Sequence, residues 1–554
     1  MRKKKLLSLA LVAVMASSML AACGGNDSSS TTTTTDNTST TTDSTSTTDT
    51  TDASDASSDD TAAASTGLDI SEPVTLKWYL HGSNVTDDSA VMEKVNEYLG
   101  EKLNVTLQPI WGTWGDFDEG ATLAINGGDD IDIYFTCSWS ADEYNQYAKK
   151  GAWVRLDDPD NNLIQQYGSD VWAVLPDVVK EGAVIEGSDG VGVYAIPGFK
   201  DFGTQNTWDV NVTLLKKYGY TVDDIKNTDY YGFGDIMATV KAGEEAETGE
   251  TFYPLNVEGA VLERMVTNSI IVNGDSGTTN VLSYYIDPTD VSKNIGSKIE
   301  NKFGTEEYKK FVEKTREYYN AGYIDPALGN ANSANDTLVA AQNAAKYLIG
   351  TQSYALGYEV QTSAARGIEV QYVPCTPPYV DKTATQGAMM AISTASKNPE
   401  RAMAFLNLLN TDPYLMTLLE YGVEGVHYNL NDDGLVVFTD ERDNYSPWRN
   451  GMGNITLLPP QEGEGVDFFV DTFIPYYTSA KGIPAFGYAF DSTNVETEMA
   501  ALANVAGQYA LALSTGTVDP ETALPEFLSA LETAGIQTVV DEANAQLDAY
   551  FAAN

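Results

Sequence analysis

Val74-Thr75-Leu76-Lys77-Trp78-Tyr79-Leu80 predicts a strand, Ser89 to Glu101 an amphipathic helix, and Val105-Thr106-Leu107-Gln108-Pro109-Ile110 a second strand. A strand, a helix and a strand in succession make a β-α-β opening, the unit of parallel sheets. A second unit follows, with Ala121 to Asn126 helical, Gly127-Gly128-Asp129-Asp130 a turn, Ile131 to Thr136 a buried strand and Asp142 to Lys150 a helix. The fold class is α/β.

Further along, Thr305 to Ala321 reads as a helix closed by Gly322 and Asp325-Pro326. Ala388 to Ser393 reads as a strand, and Pro399 opens a helix that runs to Thr411-Asp412-Pro413. Two helices, Pro520 to Ala534 and Thr538 to Phe551, close the chain. Four stretches carry a resemblance: Gly127 to Ile133, Tyr194-Ala195-Ile196-Pro197, Ala344 to Gly350, and Ser396-Lys397-Asn398-Pro399-Glu400-Arg401-Ala402. In order and spacing they resemble the solute-binding lipoproteins of bacterial ABC importers. The Tyr421 to Gly425 element, the Ala485 to Asp491 stretch and the closing helices are similar to a narrower branch, the family 1 extracellular solute-binding proteins with a distinct C-terminal region. The resemblance implies a two-lobed, periplasmic-binding-protein-like type II fold, with hinge crossovers near Tyr194 to Pro197 and near Gly387 to Ser393. Lobe one would take 70–197 and 387–430. Lobe two and the C-terminal helical region would take 198–386 and 431–554.

Before this body stand Arg2-Lys3-Lys4-Lys5 and the apolar run Leu6 to Ala16, the plan of a secretory signal peptide spanning 1–22. The run is shorter than the roughly 20 apolar residues a bilayer needs. Leu20-Ala21-Ala22-Cys23 resembles a bacterial lipobox, which makes Cys23 the expected lipidation site and a lipid anchor on the outer membrane face the expected location. Residues 23–69 are then a lipidated cysteine and a Ser/Thr/Asp tether without an aromatic residue, a composition that stays disordered.

Asp and Glu number 79 against 32 Lys and Arg, and signal cleavage would remove four of those cations and no acid. A balance so acidic argues against nucleic acid as a partner, because such binding needs cationic contacts to phosphate. Apart from Cys23, only Cys137 and Cys375 occur, which suits two buried free thiols better than a disulfide framework. His81 and His427 are the only histidines, so a histidine-dependent triad or a multi-histidine zinc site is not expected. Neither a cofactor nor a metal is expected. Among so many carboxylates, a glycosidase-like pair such as Asp116 with Asp118 arises by chance, so binding leads over a cell-surface glycoside hydrolase or an adhesive lipoprotein.

Candidate ligand contacts follow from aromatic and polar residues on loops at strand ends. Trp111, Trp114 and Asp116 follow a strand, where indole faces suit sugar C–H faces and a carboxylate suits hydroxyls; the two tryptophans serve equally as packing anchors. Ser138 and Trp139 come directly after a strand, where α/β sheets bind ligands. Asn206 and Trp208 follow the first crossover, Tyr354 follows Ile349-Gly350, and Glu424 lies between glycines near His427. Trp448, after Pro447, has no neighbours that assign it a role. Asn429 to Asp440 partly fits a calcium loop, but Asp433-Gly434 before Leu435 to Phe438 reads as a hairpin turn. The resemblance implies a monomer that captures a polar solute, most simply an oligosaccharide, and delivers it to a membrane permease.

Overall fold

The computed structural model describes residues 67–82, 84–272, 280–287, 290–294, 298–353, 356–376 and 378–553. The signal segment, Cys23, the tether through residue 66 and Tyr354 lie outside the described residues. Two sheets are built, in chain order, from β1 (Val74–His81), β2 (Val105–Gly112), β3 (Ile133–Thr136), β4 (Ala195–Pro197), β5 (Asn206–Asn211), β6 (Leu255–Asn256), β7 (Ile349–Ser353), β8 (Val370–Pro374) and β9 (Met389–Ile392). The helices used below are α1 (Ser89–Leu103), α2 (Phe117–Gly127), α3 (Gly259–Thr267), α4 (Glu306–Asn320), α5 (Tyr358–Arg366), α6 (Pro399–Thr411), α7 (Pro413–Tyr421), α8 (Glu496–Ser514), α9 (Pro520–Thr533) and α10 (Ile536–Ala553). No described helix is long and apolar enough to cross a membrane.

The first sheet has the order β2-β1-β3-β9-β4. β1 and β2 run parallel, Val74 opposite Val105 through His81 opposite Gly112, and β9 returns antiparallel between β3 and β4. Trp78 decides how this sheet packs: it is fully buried, its indole N–H points at Met390 Sδ at 3.2 Å, and Phe405 of α6 meets it edge-on at 5.4 Å. α1 buries Val91, Val95 and Leu99, spaced four apart on one face, each burial stabilising by about 2 kcal/mol. The second sheet has the order β8-β5-β7-β6, with β5 antiparallel to both neighbours. Its own core gathers Trp208, Phe311, Tyr318 and, from the C-terminal helices, Leu502, Phe527, Leu531, Val539 and Leu547.

Two of the sequence motifs meet in space. Gly128, at φ +69°, ends α2 in the left-handed region that suits glycine, which turns the chain into β3. Asp132 then accepts the Lys77 amide at 2.9 Å and the Ser396 hydroxyl at 2.5 Å, while Asp130 lies between Lys77 and Lys397 at 3.4 and 3.6 Å. From the same downstream motif, buried Arg401 donates to the carbonyls of Leu103 at 2.5 Å and Asp69 at 2.8 Å. The motif pair thus clamps the ends of α1, α2 and α6 around the first sheet.

The chain passes between the two cores three times. The segments after β4 and after β8 do so, and the bridge from Thr204 to Tyr379 holds them together. A third passage runs beside them, with Tyr379 and Val380 paired to Lys481 and Gly482. This third passage corrects one expectation. Residues 431–477, assigned from sequence to the second lobe, pack in the first core through Val436, Tyr445, Met452, Phe468, Phe473 and Tyr477. The reason is that the chain does not leave the first lobe until after Tyr477. Cys137 and Cys375 are both free thiols. Asn429 to Phe438 forms the hairpin, with strands Tyr428–Leu430 and Val436–Phe438, and the Asn431 side chain accepts the amides of Asp433 and Leu435 at 3.0 and 2.9 Å.

Candidate ligand-binding site

β1, β2 and β3 are parallel, so their carboxyl ends lie on one side and the loops beyond them share one edge of the first lobe. His81 ends β1, Trp114 stands two residues past β2, and Ser138 and Trp139 follow β3. The rings assemble there. Trp114 and Trp139 lie 6.1 Å apart at 22°, close to parallel, and remain 57% and 40% exposed. His81 packs 4.0 Å from Trp114 and 4.8 Å from buried Phe117. Two large exposed indoles stand together on a supported platform, and they present apolar faces with their edges wet.

The platform is fixed from beneath. Trp139 donates its indole N–H to the Gly387 carbonyl at 2.9 Å, and the Ser138 hydroxyl donates to the Thr383 carbonyl at 2.9 Å. Both acceptors sit on the segment that returns from the second lobe, so this loop is tied to a crossover. Asp116 accepts the Thr113 amide at 2.6 Å and hydroxyl at 2.8 Å, closing the Trp114 loop, and Asp118 accepts the Ala141 amide at 3.0 Å, joining it to the Trp139 loop. Burial pushes the His81 imidazole below its usual range despite the opposing pull of Asp118 and Asp116.

Trp448, which the sequence left unassigned, completes the cluster. Its ring stands edge-on to Trp114 at 5.2 Å and to Trp139 at 5.8 Å, and it is half-buried. Beside it, burial raises the Tyr358 phenol against the opposing pull of Trp448 and Arg449. Tyr358 opens α5, which packs on β8 of the second sheet, so Trp448 touches both lobes. Around it, Asn450 donates to Asp201 at 2.8 Å, Lys200 pairs with Asp201 at 2.7 Å, and Arg449 pairs with buried Glu464 at 2.8 Å. An aromatic platform beside a polar rim of amides and charges matches a ligand with alternating C–H faces and hydroxyls.

Other sequence candidates lie elsewhere. Trp111 donates to Asp88 at 2.9 Å and meets Tyr445 edge-on at 6.0 Å, apart from the platform. Trp208 is buried between Tyr230 and Phe233 in the second core, and Asn206 is buried at the start of β5 with its carbonyl accepting the Cys375 amide at 2.9 Å. Glu424 is exposed and lines a separate hollow with Tyr98 and Tyr414 between α1 and α7. Trp448 was missed because its neighbours, Pro447 and the Asn- and Gly-rich 450–454, give no periodicity; an aromatic stranded in such a loop is itself the signal.

Comparison with known proteins identifies what the chain is similar to. Residues 484–552 match a family model described as a domain of unknown function, DUF3502. A carbohydrate ABC transporter substrate-binding protein of Streptococcus pneumoniae is 26% identical over 494 residues, 88% of this chain and 94% of that protein. The crystal structure of the N-glycan transport solute-binding protein NgtS of the same species superposes with a TM-score of 0.70 at 25% identity, covering 86% of this chain and 99% of that one. The alginate-binding protein AlgQ2 shares the fold, with a TM-score of 0.57 at 18% identity over 86% of this chain and 98% of its own. The resemblance to solute-binding proteins read from the four motifs, and the two-lobed α/β class that goes with it, are borne out.

Proposed function

We propose that this chain is the solute-binding component of an ABC importer, capturing an oligosaccharide between its lobes and presenting it to a membrane permease. The observation that carries the reading is the platform of Trp114, Trp139 and Trp448 at the lobe boundary, because stacked indoles match sugar rings and Trp448 contacts both lobes. The relatives support the ligand class: NgtS has been crystallised with Man1GlcNAc and with Man5GlcNAc. Trp139, Trp114 and Asp116 are the contacts we assign first, with Trp448 added, Ser138 kept as the group that ties the Trp139 loop to Thr383, and Trp111 and Trp208 kept as packing residues.

The protein binds without turnover, works as a monomer, and is held on the outer membrane face by lipid on Cys23. One acyl chain holds only marginally, so the anchor carries more than one. Capture proceeds by closure of the lobes about the three crossover segments. Incubation of the full mature chain with Man5GlcNAc tests this directly. Saturable binding with no change in the sugar is expected, and Trp139→Ala should weaken it by roughly 10- to 30-fold, the usual cost of removing a central tryptophan. Sugar cleavage proportional to enzyme would return the reading to a hydrolase. No binding across a panel of neutral and acidic oligosaccharides would remove the carbohydrate assignment.

A further inference from the structure

The second lobe holds a cavity of about 310 Å³ far along the chain from the indole platform, walled by α3, α4 and the C-terminal helix α8. Its sides are Gly259, Ala260, Ala506, Gly507 and Ala510, small residues where helix packing would normally place larger ones, together with Leu511. A Cβ added at Gly507 meets no atom within 4 Å.

One end of the cavity is polar and incompletely paired. Tyr308 is 1% exposed, and among the described residues its hydroxyl has no hydrogen-bond partner; the Asn280 side-chain oxygen is buried and, among the same residues, unpartnered too. Leaving such a group unpaired costs about 1–3 kcal/mol, so two at one cavity call for an occupant. Burial raises the Tyr308 phenol well above its ordinary pKa, which keeps it a donor, while the Asn280 oxygen can only accept. Lys302 lies beside them but is neutralised by Glu263 at 2.7 Å, and Glu263 also accepts from Thr267 and Ser269 at 3.2 and 3.0 Å. With the charges balanced, a charged occupant would be buried without a counter-ion.

We infer that this cavity is a second ligand site, which takes a small neutral molecule with an apolar body and a single hydroxyl head that accepts from Tyr308 and donates to Asn280. A dry apolar cavity of roughly 150 Å³ takes benzene, so about twice that volume holds a phenyl ring with a short arm. A sugar is the wrong chemistry here, since most of its hydroxyls would face alanine, glycine and leucine without partners. The site gives the C-terminal region a role, because α8 supplies Ala506, Gly507, Ala510, Leu511 and Ser514 to the wall.

The test uses the full mature chain with 2-phenylethanol and, as the head-group control, ethylbenzene, read by ligand-observed NMR and calorimetry. Saturable binding of the alcohol is expected, and Tyr308→Phe should weaken it about tenfold, the loss of one buried hydrogen bond, while leaving ethylbenzene unchanged. Gly507→Leu, which fills the mouth and favours the helix, should abolish both without altering Man5GlcNAc binding. No saturable binding of the alcohol up to its solubility limit overturns the inference. So does binding that survives Gly507→Leu in a protein of unchanged circular dichroism, because the molecule would then sit elsewhere. Failure of Man5GlcNAc alone to bind would count against the interlobe reading and leave this site standing.

Discussion

Trp111 and Trp448 are both half-buried indoles of the first lobe, yet their surroundings assign them opposite work. Trp111 spends its N–H on Asp88 and its face on Tyr445, and a methyl group on Gly82 would already collide with it, so nothing of it is left for a ligand. Trp448 closes the platform and reaches the second lobe through Tyr358. Trp111→Phe should therefore lower stability by about 1–2 kcal/mol, from the lost hydrogen bond and packing, and leave oligosaccharide affinity within twofold. Trp448→Ala should do the reverse in kind, weakening affinity roughly tenfold or more. Denaturant melts and calorimetry on both variants check the pair; equal loss of affinity would show that both rings belong to one site. The sequence put Trp111 among the candidates and left Trp448 unassigned, because spacing after a strand was legible and contact across more than 300 residues was not.

The loop from β3 to the helix Tyr144–Lys149 shows how an element is held by a group that ordinary loops do not bury. Asp142 is fully buried; one oxygen accepts the Ser140 hydroxyl at 2.5 Å, and the other has no partner among the described residues. Burial, with Asp118 adding to it, raises its pKa to about 7, against the opposing bond from Ser140. A carboxyl raised in the folded state binds its proton more tightly there than in the unfolded chain. Its contribution is therefore fully present below about pH 4 and is lost as pH rises towards 7, up to about 4 kcal/mol for a shift of this size. Asp142→Asn, which cannot ionise, should flatten that part of the pH–stability curve relative to the unmodified protein between about pH 4 and pH 8. Thermal melts across the range measure it, and parallel curves would mean that Asp142 is ionised throughout. The strand before this loop was legible from its apolar run, and so was the parallel β-α-β frame. α2, by contrast, begins at Phe117 rather than near Ala121, because Phe117 is pulled into the core beneath His81. The six-residue π-helical turn Phe468–Phe473 had no period to read at all.

Across the whole molecule, the division into two lobes is set by where the chain crosses rather than by where its composition changes. The crossovers after β4 and β8 were expected from the resemblance to solute-binding proteins, which implies hinges near Tyr194 to Pro197 and near Gly387 to Ser393. The passage beyond Tyr477 was not, since Thr478 to Ile483 looks like any loop until Lys481 and Gly482 are found paired with Tyr379 and Val380. The closing helices return to the second core: Phe527 stacks on Tyr509 at 5.2 Å and lies 4.7 Å from Phe303, and Leu531, Val539 and Leu547 are fully buried there. The C-terminal region is in this sense an integral part of the second lobe's core, not an appendage to it. Ending the chain at residue 479 should therefore leave the first lobe folded, because its core is complete by Tyr477, and should unfold the second, whose remaining helices would expose Phe303, Tyr308 and Phe311. Limited proteolysis and calorimetry separate the outcomes. A protected fragment drawn from the first lobe, with a single smaller transition, is expected, whereas a truncated chain that keeps both lobes protected would mean that the second core closes without its C-terminal helices.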